Sequence, residues 1–381
     1  MNQKKQIIIH RIRRLVARHL TNLPGWRTNR KIVVIESDDW GSLRMPSLKA
    51  FQKLERFGLD LRSWDAERYN LNDSLGSRKD LELLFEVLSG VKGKEGNHAV
   101  FTPISIVANP DFERIKQADY REYFFEPFTV TLQKHPGCEN AFELWLEGIQ
   151  KRVFVPQMHG REHLNVTAWM TALQKREKQT LLAFHEGLWG FVPDQQQLPG
   201  IDFQAAFLLN DPNELEYHKT IIKEGLGLFE QLFGYRAVYF VPPNGPFNNK
   251  LNATLAENGV RYRSVAMIQR ESLGMGKFKR SFHWLGQKEK FGITYIIRNC
   301  FFEPNQPGKD WVDTCLNQME IAFRMKKPAV ISSHRANYVG TLNPQNREKG
   351  LRQLRVLLSR IIKKWPDAEF MTTAQLGVLM R

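Results

Sequence analysis

Ten short apolar runs, rich in Val, Ile and Phe, punctuate the chain at residues 31–36, 99–107, 128–132, 153–157, 205–209, 237–241, 262–266, 293–298, 329–332 and 369–372. Several are continuously apolar rather than alternating, the pattern of strands covered on both faces. Between them lie helical stretches at 80–88, 139–150, 168–184, 214–233, 249–258 and 348–364. This alternation predicts an α/β chain whose strands lie mostly parallel in a sheet or barrel. Two intervals, residues 40–96 and 164–235, are too long for one crossover helix and read as insertions. In an α/β barrel, long excursions after the C-terminal strand ends line or cover the active site.

Charge is unevenly placed along this frame. The 381 residues hold 55 Lys and Arg against 40 Asp and Glu, a formal +15. Nine of the cations, from Lys4 to Lys31, precede the first acid, Glu36, so residues 1–30 form a basic arm and the barrel at 31–381 is mildly basic. In the arm, Ile8, Ile12, Leu15 and Val16 recur at helical spacing with Arg11, Arg14 and Arg18 on another side. Such a basic amphipathic helix suits an anionic membrane surface or an apolar edge of the domain. Residues 21–26, with Pro24 and Gly25, read as a linker.

Other classes drop out. There is no basic stripe interleaved with aromatics and no nucleic-acid motif, so no specific nucleic-acid partner is expected. No apolar run approaches the ~18 residues of a membrane span. Ile7–Ile9 is followed by His10 and Arg11 where a signal peptide would stay apolar, so the expected location is cytoplasmic, at most peripheral on the membrane's inner face. Cys138, Cys300 and Cys315 are odd in number and form no Cys-x-x-Cys pair, which argues against a disulfide framework.

Four strand ends carry residues that core packing does not explain. The first run ends in Glu36-Ser37-Asp38-Asp39-Trp40, and adjacent carboxylates repel unless a cation or proton lies between them. The run at 153–157 ends in Met158-His159-Gly160-Arg161-Glu162-His163. Histidines four apart converge on one ion when the segment is helical, but the order of residues is not the His-Glu-x-x-His of zinc proteases. An Asp with two His leaves coordination positions open for water and substrate, which suits a hydrolytic metal. Pro242-Pro243-Asn244-Gly245-Pro246 follows the run at 237–241, a rigid turn whose Asn244 N–H is a candidate oxyanion donor. His334, after the run at 329–332, opens onto the same face and is a candidate acid.

In this order, Ser37-Asp38-Asp39, His159-Gly160-Arg161-Glu162-His163, Val241-Pro242-Pro243-Asn244-Gly245 and Ile331-Ser332-Ser333-His334 resemble the motifs of the polysaccharide deacetylases, the NodB-homology group of carbohydrate esterases. Residues 370–376 resemble that group's last strand and helix start. The resemblance implies an irregular (β/α) barrel and a divalent metal, usually zinc, held by Asp39, His159 and His163. It implies Asp38 as general base and His334 as general acid in removing acetyl groups from N- or O-acetylated sugars of a polysaccharide or glycoconjugate precursor.

The sequence also departs from that pattern. The arginine that usually opens the third motif is Val241, the tyrosine is Asn244, and Trp40 replaces a glycine. Arg298 and Arg335 are the cations placed to substitute for the arginine. No Asp lies between Gly245 and Asp310 to hold His334. The alternative reading is a degenerate barrel that binds carbohydrate on Trp64, Trp189 and Trp284. With no export signal, the expected substrate is an acetylated saccharide inside the cell, lipid-linked or nucleotide-linked.

Overall fold

The computed structural model describes residues 19–63, 65–196 and 200–381; the basic helix expected within residues 1–18, and Trp64, lie outside the described residues. The strands are β1 (Lys31–Trp40), β2 (Phe101–Ile106), β3 (Ala108–Pro110), β4 (Phe125–Pro127), β5 (Gln157–Gly160), β6 (Tyr239–Phe240), β7 (Tyr262–Ser264), β8 (Ile268–Gly274), β9 (Lys277–Phe282), β10 (Thr294–Ile296), β11 (Cys300–Phe301), β12 (Ala329–His334) and β13 (Ala368–Phe370). Nine of them form one sheet in the order β10-β7-β6-β5-β2-β1-β12-β11, with β13 paired to the start of β1. All its pairings are parallel. The two ends of this path, β10 and β11, are separated only by residues 297–299. One stretch of chain thus pairs first with β7 and then with β12, and the sheet curls back on itself as the α/β alternation predicted.

The apolar runs are continuous because both faces are covered. Ile32 and Val34 share a buried cluster with Ile104, Tyr239, Val241, Ile296 and Val330. The intervening Val33 and Ile35 belong to a larger cluster with residues of the helices Arg78–Ser89, Ala141–Gln150, Glu214–Phe233 and Pro344–Lys364. Successive side chains of a strand point to opposite faces, so each face needs its own apolar set. The stretches 40–96 and 164–235 share a third cluster: Phe51, Leu54 and Leu61 of the first pack with Trp169, Phe184, Trp189 and Phe203 of the second.

The run at 153–157 meets β5 only at Gln157, with Phe154 forming an isolated bridge to Phe101, and two further runs are not strands. Residues 128–132 lie in the helix Phe128–Lys134, whose buried Phe128, Thr131 and Leu132 follow helical rather than alternate spacing. Residues 205–209 form turns, and Phe207 there packs edge-on against Phe240 and Phe247. The stretch 168–184 is two helices, Val166–Gln174 and Lys178–His185, broken where Arg176 adopts φ 56° and Glu177 caps the second. Residues 24–26 are pinned to the barrel: the Lys327 ammonium donates to the carbonyls of Pro24, Gly25 and Trp26, each at 2.7 Å.

Gly350, in the helix Pro344–Lys364, touches the loop after β12 so closely that an added Cβ would lie 1.7 Å from the Asn337 carbonyl oxygen. The obstacle is backbone and cannot rotate away. Gly350→Ala should therefore lower unfolding stability by about 2–3 kcal/mol in chemical denaturation; an unchanged midpoint would mean that this helix does not pack so closely.

Candidate active site

Regular strands send neighbouring side chains to opposite faces, so Asp38 and Asp39 can share a cavity only where that alternation breaks. β1 breaks it between Ser37 and Trp40, where three steps of β1 match two steps of β2, from Pro103 to Ser105. Asp39 takes φ 73° at this bulge, a conformation costly for a residue with a Cβ. β5 carries a second extra residue, between Met158 and Gly160, at His159. Gly160 then turns at φ 144°, where a Cβ would meet the Glu162 carbonyl oxygen at 3.1 Å. The His-x3-His segment is therefore not helical; a bulge and a glycine turn bring its two rings together.

Asp39, His159 and His163 are all buried, and their donor atoms lie within 4.8 Å of one another. Asp39 Oδ1 is 3.4 Å from His159 Nε2 and 3.3 Å from His163 Nε2. The Val241 carbonyl is 2.7 Å from His159 Nδ1 and can only accept, so that nitrogen carries the proton and Nε2 turns its lone pair toward Asp39. A lone pair and a carboxylate oxygen do not face each other stably without a cation or proton between them. Burial would raise the Asp39 carboxyl; where a proton on each Nε2 takes the place of the ion, hydrogen bonds from the two imidazoles hold it well below the usual range. The group fits a divalent ion bound by three protein ligands. Trp189 lies 5.9 Å from the His163 ring and donates its indole N–H to the Leu43 carbonyl.

Asp38 has a different partner. The Arg298 guanidinium grips it through two hydrogen bonds of 2.5 and 2.7 Å, and donates from Nε to Glu36 Oε2 at 2.5 Å. Tyr239 and Thr373 also donate to Glu36. Burial pushes the Glu36 carboxyl up; at Asp38 burial is overridden by Arg298, which holds the carboxyl below its ordinary value. Arg298 lies in the three residues that join β10 to β11, so chain closure places a cation beneath the Asp pair. Arg335 instead turns away from the cleft, fully buried against Asp73 at 2.9 Å and the Ser42 carbonyl at 2.7 Å.

His334 is the cross-strand neighbour of Asp38, with Nε2 4.0 Å from Asp38 Oδ2. Its Nδ1 lies 2.6 Å from Glu303 Oε1. Glu303 follows β11 and also accepts from Arg68 at 3.0 Å and Asn337 at 2.9 Å. Burial would lower the His334 pKa, but Glu303, helped by Asp39 and Asp38, raises it to about 9. Tyr69 from the first insertion meets the ring edge-on at 5.5 Å. The family pattern leads to an Asp in this place, whereas the partner is Glu303, an acid at the exit of the short strand β11.

These groups open into a cleft of about 1380 Å³, lined among others by Asp38, Asp39, His159, His163, Arg298, His334 and Asn244. Asn244 is exposed at φ 52°. Two expected contributors lie behind the wall. Pro243 is buried beside Gly160, and Trp40 is buried with its ring edge-on to Phe154 at 4.9 Å and its indole N–H on Ser37 Oγ at 2.9 Å. Of the three candidate platforms, Trp189 is buried, Trp284 is exposed and Trp64 is outside the described residues.

No protein-family profile matches the chain, and no curated protein matches it in sequence. Among solved structures it is similar to a Mycobacterium smegmatis protein assigned as a polysaccharide deacetylase (11% identity, 94% of this chain and 93% of that one, TM-score 0.45). A Pseudomonas aeruginosa PAO1 protein assigned as a polysaccharide deacetylase is also similar (8%, 92% and 91%, TM-score 0.46). So is 4-alpha-glucanotransferase from Thermococcus litoralis (13%, 91% and 40%, TM-score 0.44). The chemistry rests on the side chains described above.

Two outcomes test this geometry. Arg298→Met leaves Glu36 and Asp38 buried without their cation and should cost about 3–5 kcal/mol in urea unfolding; a loss near zero would mean that the carboxylates are not held by Arg298. In metal-free protein, the His334 ring protons followed by NMR should titrate near pH 9, and Glu303→Gln should bring the midpoint down toward 6.5. A raised imidazole pKa stabilises the fold below its ordinary value, and that contribution fades as pH rises from 6.5 toward about 9. An unmoved midpoint in Glu303→Gln would remove Glu303 as the cause.

Proposed function

We propose that the protein is a metal-dependent hydrolase that removes acetyl groups from N-acetylated or O-acetylated sugars of a polysaccharide or glycoconjugate precursor. The observation that carries this reading is the placement, in one cleft, of an Asp-His-His ligand set beside a carboxylate paired to arginine and an imidazole paired to glutamate. Asp39, His159 and His163 hold the ion, for which zinc is the best match to two imidazoles and a carboxylate. When bound, the ion polarises an acetyl carbonyl and makes a water easier to deprotonate.

The protein's own groups divide the remaining work. Asp38, kept ionised and oriented by Arg298, takes the proton from the attacking water. His334, kept protonated through neutral pH by Glu303, gives a proton to the departing amine or alkoxide. The Asn244 backbone N–H, on a turn held rigid by prolines, is the protein donor for the developing oxyanion. The second reading, a barrel that only binds carbohydrate, rested on the missing arginine and aspartate; Arg298 and Glu303 supply equivalent charges, which favours chemistry.

Protein purified without chelator should hold about one divalent ion per chain and release acetate from an acetylated amino sugar. Asp38→Asn should lower kcat about 10²–10⁴-fold with the metal retained, the usual worth of a general base, whereas His163→Ala should lose metal and activity together. Metal-free protein with full activity, or Asp38→Asn with unchanged kcat, would sink the proposal.

A further inference from the structure

The β8–β9 hairpin is a separate two-stranded sheet. Five of the six β9 residues are exposed, and Met275 at the turn and Phe282 at the far end are 68% and 69% exposed. Ile268, Leu273 and Phe278 are exposed as well, as is Trp284 just beyond. The register sets Ile268 opposite Phe282 and Arg270 opposite Arg280. Like charges facing across a strand pair destabilise it unless an anion lies against them. Lys277 and Lys279 extend the charge, Lys279 in register with Glu271, and among the described residues none of these four cations forms an ion pair. The hairpin's one acid, Glu271, is buried and accepts the Asn249 N–H at 2.9 Å.

This surface adjoins both the cleft and the basic arm. Ile268, Arg270 and Phe278 line the mouth of the cleft. At the hairpin's base, the Trp26 N–H donates to the Leu285 carbonyl at 2.8 Å. The chain before Trp26 is the one whose sequence carries six cations, Lys4, Lys5, Arg11, Arg13, Arg14 and Arg18, without an acid. Aromatic and aliphatic side chains interleaved with Lys and Arg are the composition that settles at the boundary between lipid headgroups and acyl chains. A soluble polyanion would match the charges but leave Met275 and Phe282 in water; an anionic bilayer takes both.

We propose that the β8–β9 hairpin seats the protein on an anionic lipid bilayer, so that the cleft opens at the membrane surface onto an acetylated saccharide carried by a lipid. The substrate half of this rests on the deacetylase reading; the docking half does not. The full chain should co-sediment with vesicles of phosphatidylglycerol and phosphatidylcholine and not with phosphatidylcholine alone. Met275→Ser with Phe282→Ser, and separately Lys277→Glu with Lys279→Glu, should weaken that binding about tenfold or more. All four positions are exposed and lie off the cleft, so turnover of a soluble acetylated saccharide should stay at the wild-type rate. Wild-type protein that ignores anionic vesicles would overturn the docking. So would hairpin variants that bind like wild type while removal of residues 1–18 abolishes binding, or binding to heparin without binding to vesicles. Hairpin-dependent vesicle binding in a protein that releases no acetate would uphold the docking and overturn only the hydrolase.

Discussion

Two neighbouring carboxylates buried at the end of one apolar strand are tolerable only if each has its own positive partner, and this requirement organises the cleft. Asp38 is answered by Arg298, and Asp39 by the site it shares with two imidazoles. Neither answer is available to a regular strand, because only one of two adjacent side chains would face inward. The bulge in β1, the φ of Asp39 and the bulge at His159 are the local cost of turning all these groups the same way. The closure of the curled sheet through residues 297–299 is what brings Arg298 under the pair.

The adjacent strand follows the same logic with different residues. His334 sits beside Asp38 because β12 pairs with β1 in register, and Glu303 reaches it because β11 pairs with β12. The stretch 40–96 then supplies Arg68 to Glu303 and Tyr69 to the imidazole. The stretch 164–235 supplies Trp189, whose ring lies 5.9 Å from that of His163 and whose indole bonds to Leu43, tying this stretch to 40–96. Electrostatic support depends on where a charge is in space, not on where it is in the chain. Arg298 and Glu303 can therefore fill positions that a motif comparison marks as vacant.

The basic excess also takes on a place. The barrel's strand ends hold their charges in buried pairs, whereas the cations of β8 and β9 form no ion pair among the described residues and stand among exposed apolar side chains. One surface handles charge by neutralising it inside a cleft, the other by presenting it outward. That difference separates the groups suited to chemistry from those suited to attachment.

The α/β alternation was legible in the sequence, and Asp38, Asp39, His159, His163 and His334, which line one cleft, could be singled out there, because continuous apolar runs and polar clusters at their ends are local patterns. Residues 128–132 and 205–209 misled as strands because their short apolar content was compatible with a helix or a turn once tertiary neighbours were chosen. Sequence named Arg298 and Arg335 as equal candidates; strand pairing sent one to Asp38 and buried the other on Asp73. It left the partner of His334 open, and the pairing of β11 with β12 produced Glu303. It placed Pro243 and Trp40 at the site, and packing put both behind its wall. Residue type and order determined which chemistry was available; the partners of each charge were decided by contacts across tens to hundreds of residues, which only the folded chain specifies.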